Sequence, residues 1–473
     1  MDQQPSWGPR RPEQPPRRAL TEAASARARR TGTRRRGRRL AVLLTVVGLA
    51  TVLAVAGYLV FGHLNRNLTS IALPQSIQRP SASPTPGVSA LAAGTPLNIL
   101  VVGSDTRSTS VDCSLGGDCS QANATGSGGA QLSTVGANAD VEMLVHISAD
   151  RSNMSVTSIP RDTMITVPSC TGNGITETPH VDRINSTLAY GLACTATAVH
   201  DLTNLPIDHV VMVDFGGVVK ISDAIGGVSV CVNNNVYDPY SHLKLTKGTH
   251  TLVGLSALEF LRTRHGFGDG GDIGRTVAQH MFLAAVQRKV ESAGTLLNPV
   301  TVYNLADTAT SAVTVDTGLA NVTDLARLAV TVAKIPTSRT TFLTMPTVPD
   351  PANPNVVLPG PGAAPLFTKI ADDVSLSADS TPAASRTTTS RTTSPRKSGS
   401  ASTTRTTSAA SHPATTASTS PTPVAPSGSD FQQTASAGGC ATVSQQATVS
   451  INGVPMTPIQ AFADSPTVPL SAP

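Results

Sequence analysis

Four sets of charged residues fall at the predicted ends of strands and helices, where side chains from separate elements can converge on one point. Asp105 and Arg107 follow a short apolar run, LNILVVG. Asp140 and the pair Arg161–Asp162 bracket an alternating stretch, ADVEMLVHISADRSNMSVTSIPRD. Arg262 and Arg264 close one helical pattern, and Asp272, Arg275 and Gln279 open the next. The arginine fork matches phosphate oxygens two at a time. A pair of aspartates with water ligands is a common seat for Mg²⁺ beside substrate phosphates. Arginines gathered around carboxylates therefore suit a diphosphate ester better than a peptide. Taken one at a time, each arginine is more simply read as a solvated surface charge.

The elements that must position these groups can be read in part. Val141 to Ser148 alternates apolar and polar residues, Ala149–Ser152 is turn-like, and Met154 to Ile159 reads as a returning strand. With Asp150 and Arg151 at the tip, residues whose numbers sum to about 301 face each other, which sets Asp140 against Arg161. A structural ion pair closing a hairpin is the plain alternative to a functional pair. Arg262 and Arg264 are two apart and cannot share a helix face. For both to serve one site the helix must unwind there, and the glycines at 266, 268, 270 and 271 favour that. Arg275 and Gln279 are four apart and do share a face.

The chain has 473 residues and a net charge of +5, unevenly spread. Residues 1–39 hold twelve arginines and three acids, a local +9 that leaves −4 for the remainder. A basic arm on a mildly acidic body argues against a nucleic-acid binder. Leu40 to Phe61 carries no charge and spans roughly 33 Å as a helix, enough for a bilayer core. Signal-peptide cores run to about 7–15 residues, so this stretch reads as a retained anchor. The arginines before it predict a cytoplasmic N-terminus and an extracytoplasmic body in a single-pass plasma-membrane protein. All six cysteines lie in that body, without metal-binding spacing, so disulfides are the default. Cys113–Cys119 would close a small loop and Cys170–Cys194 would bracket the segment before a helix. Cys231–Cys440 follows by elimination only.

Residues 62–96 read as a spacer, 97–345 as the folded domain, 346–430 as a Pro/Ser/Thr-rich disordered segment, and 431–473 as a tail. Within the domain, helices are expected over 183–202, 216–224, 255–264, 272–290 and 319–335, with strands at 97–103, 141–159, 209–215, 228–233 and 340–345. Residues 108–139 read as a long surface loop. Strands interleaved with helices give an α/β (α+β) layered domain. The serine-hydrolase, P-loop and zinc-protease signatures are absent. Most histidines lack ligand-like spacing; His180 and His265 are close enough to the candidate site to keep in view.

Taken together, LNILVVGSDTR, Ala139–Asp140, SIPRDT at 158–163, DRINSTLAYG at 182–191, DAIGGV at 223–228, ALEFLRTRH at 257–265 and DIGRTVAQ at 272–279 resemble the LytR-CpsA-Psr family, over about residues 96–345. The resemblance implies a central sheet between helices and a long apolar pocket. It further implies a membrane-tethered, Mg²⁺-dependent phosphotransferase, with Mn²⁺ as the alternative ion. Such an enzyme takes a glycopolymer from a polyprenyl-pyrophosphate carrier and joins it by a phosphodiester to peptidoglycan, with membrane lipid as a further partner and no nucleic acid. By position, Asp105 and Asp140 match the family's metal-associated carboxylates and, with Arg161, its catalytic set. Arg161, Arg262, Arg264, Arg275, Gln279 and Arg183 match its pyrophosphate-binding residues, and Arg107, Asp162 and Asp272 would support them.

Three positions depart from the family pattern. Asn138 stands where an arginine is usual, Arg183 replaces a frequent lysine, and Ala278 replaces an arginine beside the glutamine. These departures leave two alternatives to the transferase. One is a catalytically weak wall protein that binds lipid or glycan; the other is a polyprenyl-pyrophosphate hydrolase. A transcriptional regulator is disfavoured, because the folded domain would lie across the membrane from DNA. The strands and the 183–202 segment are expected to line the lipid slot.

Overall fold

The computed structural model describes residues 17–79, 94–105, 137–172, 174–291, 299–376, 433–434 and 439–472. The chain divides into two compact units, Met1–Arg66 and Asn67–Pro473. In the first, helix α1 starts at Arg17 and runs to Asn67 at the unit boundary. Its Val42–Asn67 stretch has a mean hydropathy of 2.3, and its most apolar window buries nothing against protein. By length and composition it can cross a membrane.

The second unit is a mixed α/β fold. Among the described residues, eight strands form one sheet: β1 (Thr69–Ile71), β2 (Leu97–Ser104), β3 (Ala139–Ile147), β4 (Met154–Ile159), β5 (His209–Val213), β8 (Val313–Asp316), β9 (Thr340–Thr344) and β10 (Gln433–Thr434). Between β5 and β8 in the chain, β6 (Val228–Val232) and β7 (Gly248–Leu252) pair as a separate antiparallel ribbon. The sheet order is β1-β8-β5-β2-β3-β4-β9-β10. β2 runs parallel to β5 and antiparallel to β3. β4 pairs antiparallel with β3 and parallel with β9. The hairpin register is the expected one, with Glu142 opposite Ile159 and Ile147 opposite Met154. Arg151 supplies the positive φ, 59°, that closes the turn.

Seven further helices belong to this unit among the described residues: α2 (Leu192–Thr203), α3 (Phe215–Ala224), α4 (Leu255–Arg262), α5 (Asp272–Glu291), α6 (Pro299–Ala312), α7 (Val322–Ala333), α8 (Ala363–Ala371), to which α9 (Pro458–Asp464) adds a short C-terminal one. The helix expected over 183–202 is shorter than that. Gly191 takes φ 106°, which no helix accommodates, and the Ser186 and Thr187 hydroxyls bond the carbonyls of Arg183 and Ile184. The chain therefore runs as a tight helical turn from Ile184 to Tyr190 before α2 begins. The 319–335 helix likewise starts only after Asn321, whose side chain caps it by accepting from Asp324 N.

The folded unit takes in more chain than 97–345. Thr347–Asp350 and Asn353–Pro359 form a hairpin, and α8 buries Phe367 and Ile370 in the main core. Ile77, expected in a spacer, is 1% exposed in the same core. Most of the expected 108–139 loop, with Arg107, Cys113 and Cys119, lies outside the described residues, as do residues 377–432. The other two cysteine pairs are bonded, Cys170–Cys194 and Cys231–Cys440.

Strand alternation divides the core into two sides. Leu100, Val102, Leu144 and Ile159 pack with Leu192, Ala196 and Val199 of α2 and with α8. On the opposite side, Val101, Val141 and Met143 face α3, α4 and α5 across a cavity of about 500 Å³. The 183–202 segment does not line this cavity. It covers the other face of the sheet, because residues 100, 102 and 144, which α2 packs against, alternate with the cavity-facing 101, 141 and 143.

Candidate functional site

Asp140 owes its position to an irregularity in the ladder. Gly103 pairs with Val141 and Ser104 with Ala139, so Asp140 is the extra residue of a β-bulge. Bulges re-aim a side chain at a strand end. Gly103 makes room for it: a Cβ there would stand 2.9 Å from Val141 Cβ. Asp105, one residue beyond β2, accepts from Asn138 N at 2.6 Å and from Asn138 Nδ2 at 3.3 Å.

Arg161 lies two residues beyond the hairpin's returning strand. Its Nη1 donates to Asp140 Oδ1, and its Nε lies 3.5 Å from Asp162 and 3.8 Å from Asp272. Arg275, on the first turn of α5, reaches Asp272 Oδ1 at 2.5 Å and Asp140 Oδ1 at 3.7 Å. Arg264 lies beyond α4, which ends where Thr263 turns extended, ψ 117°. Its Nη2 lies 3.3 Å from Asp272 and 3.6 Å from Asp162. Three arginines and three aspartates from the hairpin, the loop after α4 and the start of α5 thus form one continuous ionic cluster. A cluster this well shielded couples more strongly than exposed pairs do.

The remaining expected residues are placed less centrally. The Arg262 guanidinium lies 4.9 Å over the Phe215 ring at the cavity wall, in cation–π contact. Gln279 is buried, and its Nε2 donates to Leu261 O at 3.4 Å. Arg183 is exposed and reaches Asp162 at 3.5 Å, a pair that contributes little to stability. His265 lines the cavity, its ring 4.6 Å from that of Tyr240. His180 pairs instead with Glu177 at 3.4 Å.

Electrostatics separates the two inner arginines. Burial disfavours charge on Arg161, but Asp140, Asp162 and Asp272 more than offset it and raise its pKa. At Arg275 burial prevails over Asp272 and Asp140 and the pKa is lowered. Both stay cationic at neutral pH. The acids could seat a divalent ion only in part. Among the described residues no group of three or more His, Cys, Asp or Glu is arranged to hold a metal. Asp105, which accepts from Asn138 two residues before Asp140, and Asp140 itself match instead the mode in which one or two carboxylates hold Mg²⁺ together with substrate phosphates.

Sequence reasoning missed one charged residue here. Glu142 lies between Asp140 and Leu144 on β3, is 1% exposed, and has no hydrogen-bond partner for either carboxylate oxygen. Burial raises its pKa well above the ordinary carboxylate range; Arg275 opposes the shift, and Asp140 and Asp272 reinforce it. The only local signal was a carboxylate inside an otherwise apolar strand.

The cluster sits at the mouth of the cavity, whose walls are apolar: Val101, Met143, Val218, Ile221, Leu258 and Phe282 among them. Its volume is in the range of small-molecule sites. Guanidinium groups beside an apolar cavity form an arrangement able to take an amphiphile with an anionic head. The family model described as the LytR_cpsA_psr family matches residues 60–360, and the chain belongs to that family.

The chain is 34% identical over 223 residues to the cell wall biosynthesis protein LcpA of Corynebacterium glutamicum, covering 42% of this chain and 43% of that protein. It is 33% identical over 283 residues to the probable cell wall biosynthesis protein LcpB of the same species, covering 59% and 60%. It thus spans about half the length of these curated relatives. It is also 29% identical over 163 residues to the polyisoprenyl-teichoic acid–peptidoglycan teichoic acid transferase TagT of Bacillus subtilis, covering 33% and 47%. Among solved structures, the LytR-Csp2A-Psr enzyme from Actinomyces oris superposes with a TM-score of 0.46 at 24% identity, covering 64% of this chain and 95% of that one.

Proposed function

We propose that this protein is a membrane-anchored transferase that moves a wall glycopolymer from a polyprenyl-pyrophosphate carrier to peptidoglycan. The carrying observation is the Asp140–Arg161–Arg264–Asp272–Arg275 cluster at the rim of the apolar cavity. The cavity would take the prenyl tail and the cluster the diphosphate. Names of relatives point to cell wall biosynthesis and to teichoic acid transfer to peptidoglycan. The arginine-rich arm before the apolar helix supports a cytoplasmic N-terminus and an extracytoplasmic domain.

In this reading Arg161, Arg264 and Arg275 trade some of their aspartate pairing for the donor's phosphate oxygens. Arg262, Gln279 and Arg183 flank them. An acceptor sugar hydroxyl attacks the glycan-bearing phosphorus, forming a new P–O bond as the phosphoanhydride breaks. Polyprenyl phosphate leaves with the bonding pair, and the hydroxyl proton passes to one of the carboxylates Asp105 and Asp140. Guanidinium groups fixed before reaction stabilise the growing charge without reorganising. Mg²⁺ bound through Asp105 and Asp140 would neutralise further charge on the phosphates.

The test incubates the full chain with a polyprenyl-pyrophosphate-linked glycan, peptidoglycan and Mg²⁺, and analyses the products by mass spectrometry. A phosphodiester-linked glycan is expected from the parent, with Arg161→Ala slowed at least about 1,000-fold, as expected for a group stabilising transition-state charge. Release of free glycan phosphate without linkage would instead assign a hydrolase. Lipid retention with no product would assign a binding protein.

A further inference from the structure

The segment 439–472, expected to be a tail, is woven into the domain next to the arginines. Cys440 is bonded to Cys231 on β6. Ala441 N donates to Cys231 O at 2.7 Å, and Asn233 N donates to Ala441 O at 3.0 Å. On its other edge the segment binds the loop between α4 and α5. Gly268 N donates to Thr442 O at 2.9 Å, and Ser444 N donates to Gly266 O at 3.0 Å. Thr448 Oγ1 donates to His265 O at 2.7 Å. Ala441, Val443 and Phe267 are 1% exposed or less, in one core with β6, β7 and α5. Residues 440–448 therefore lie between the ribbon's end and the loop, bonded to both.

That loop is the piece of chain on which the cluster's geometry depends. It runs from Thr263 to Gly271, carries Arg264, and delivers Asp272 and Arg275 at the first turn of α5. It contains glycines at 266, 268, 270 and 271, so its backbone has more freedom to lose on ordering than a loop without glycine. Contact with the C-terminal segment is close enough that a Cβ on Gly270 would stand 2.0 Å from Thr448 Cγ2.

We propose that residues 440–448 are a positioning strap for the diphosphate site, fixing the 263–271 loop so that Arg264 and Arg275 meet the donor's head together. This rests on the diphosphate reading given above. The strap touches no substrate and acts through the loop. Thr448 is its point of attachment nearest the arginines, and the Cys231–Cys440 bond is its anchor.

The experiment uses the full chain in detergent and three variants: Thr448→Val, which keeps the side chain's shape and removes its donor, Thr448→Ser, which restores the donor, and the double replacement Cys231→Ser/Cys440→Ser. Amide hydrogen exchange is read on peptides covering 263–275 and 97–104. Binding is measured with a C15 prenyl diphosphate and, as control, the C15 prenyl monophosphate. Thr448→Val and the double variant are expected to exchange at least 10-fold faster over 263–275 with 97–104 unchanged. They are expected to bind the diphosphate about 10-fold more weakly and the monophosphate less than 3-fold more weakly, while Thr448→Ser matches the parent. Loop exchange equal to the parent's overturns the strap, as does an equal loss for both headgroups or equal acceleration in both peptides. A parent that binds no prenyl diphosphate sinks the reading under Proposed function, and loop exchange alone then decides the strap.

Discussion

The two faces of the central sheet are made by alternate residues of the same strands, yet they end differently. On one, Leu100 and Leu144 are fully buried in one core with α2 and the 184–190 turn. On the other, Val101, Val141 and Met143 form the floor of a cavity of about 500 Å³. Residue type does not explain the difference, because both faces are Val, Leu and Met. Helix placement does. α2 packs Leu192, Ala196 and Val199 into the core on the first face, whereas α3, α4 and α5 line the cavity on the second. The filled face supplies stability, and the hollow face holds the cavity that the ionic cluster's Asp140, Arg161, Arg264 and Arg275 help to line.

Substitutions on the two faces should therefore separate. Leu144→Ala should cost about 2–5 kcal/mol in urea unfolding, as for a fully buried leucine that leaves a void. Val218→Phe, pointing into the cavity, should change stability by less than about 1 kcal/mol while abolishing prenyl-lipid binding, since the added ring fills empty space. Equal stability losses at both positions would erase the distinction between the faces.

Beside the cavity the hollow face is closed by a buried histidine. His280 bonds Ser158 at 2.7 Å, and burial lowers its pKa to about 3. A depressed histidine contributes stability that is present above its unfolded pKa of about 6.5 and is lost as pH falls toward 3. Denaturation between pH 6.5 and 4 should show a slope of up to about 1.4 kcal/mol per pH unit from this group. His280→Asn should flatten it, and an unchanged slope would place the titration elsewhere.

Glu142 is the reverse case. Its pKa is raised, chiefly by burial, so its contribution is full below the unfolded carboxylate value near 4.5 and is lost as pH rises through the folded value. Glu142→Gln should match the parent near pH 4 and melt a few degrees higher by pH 8. A melting difference that shrinks with rising pH would mean the ionised carboxylate is favourably held by Arg275.

Much of this was legible beforehand, and for identifiable reasons. The hairpin register followed from period-two alternation and a four-residue turn, and it carried the Asp140–Arg161 pair with it. The helix expected over 255–264 ends instead at Arg262; a break between Arg262 and Arg264 was expected only on the condition that both serve one site. What escaped depended on distant chain. Glu142 alternates like an outward-facing residue, and what buries it includes the 184–190 turn packed over the same strand. α6 and β8, over TVYNLADTATSAVTVD, mix Ala and Thr without a clear apolar period. The strap at 440–448 is small-residue chain separated from its neighbours in space by a long Ser/Thr-rich stretch. The cavity was expected against the 183–202 segment and lies on the other side of the sheet, because periodicity marks a buried stripe without saying which side of a sheet it covers.

The bond between Cys231 and Cys440 closes a loop of 209 residues. At ribosomal speeds of about 5–20 residues per second, roughly 10–40 s separate the appearance of its two halves. In the later part of that interval, once Arg275 has been added, a growing chain holds Arg161, Arg264 and Arg275 but lacks the 440–448 segment. Until residues 441–444 are made, the loop that carries Arg264 lacks the backbone partners of Gly266 and Gly268.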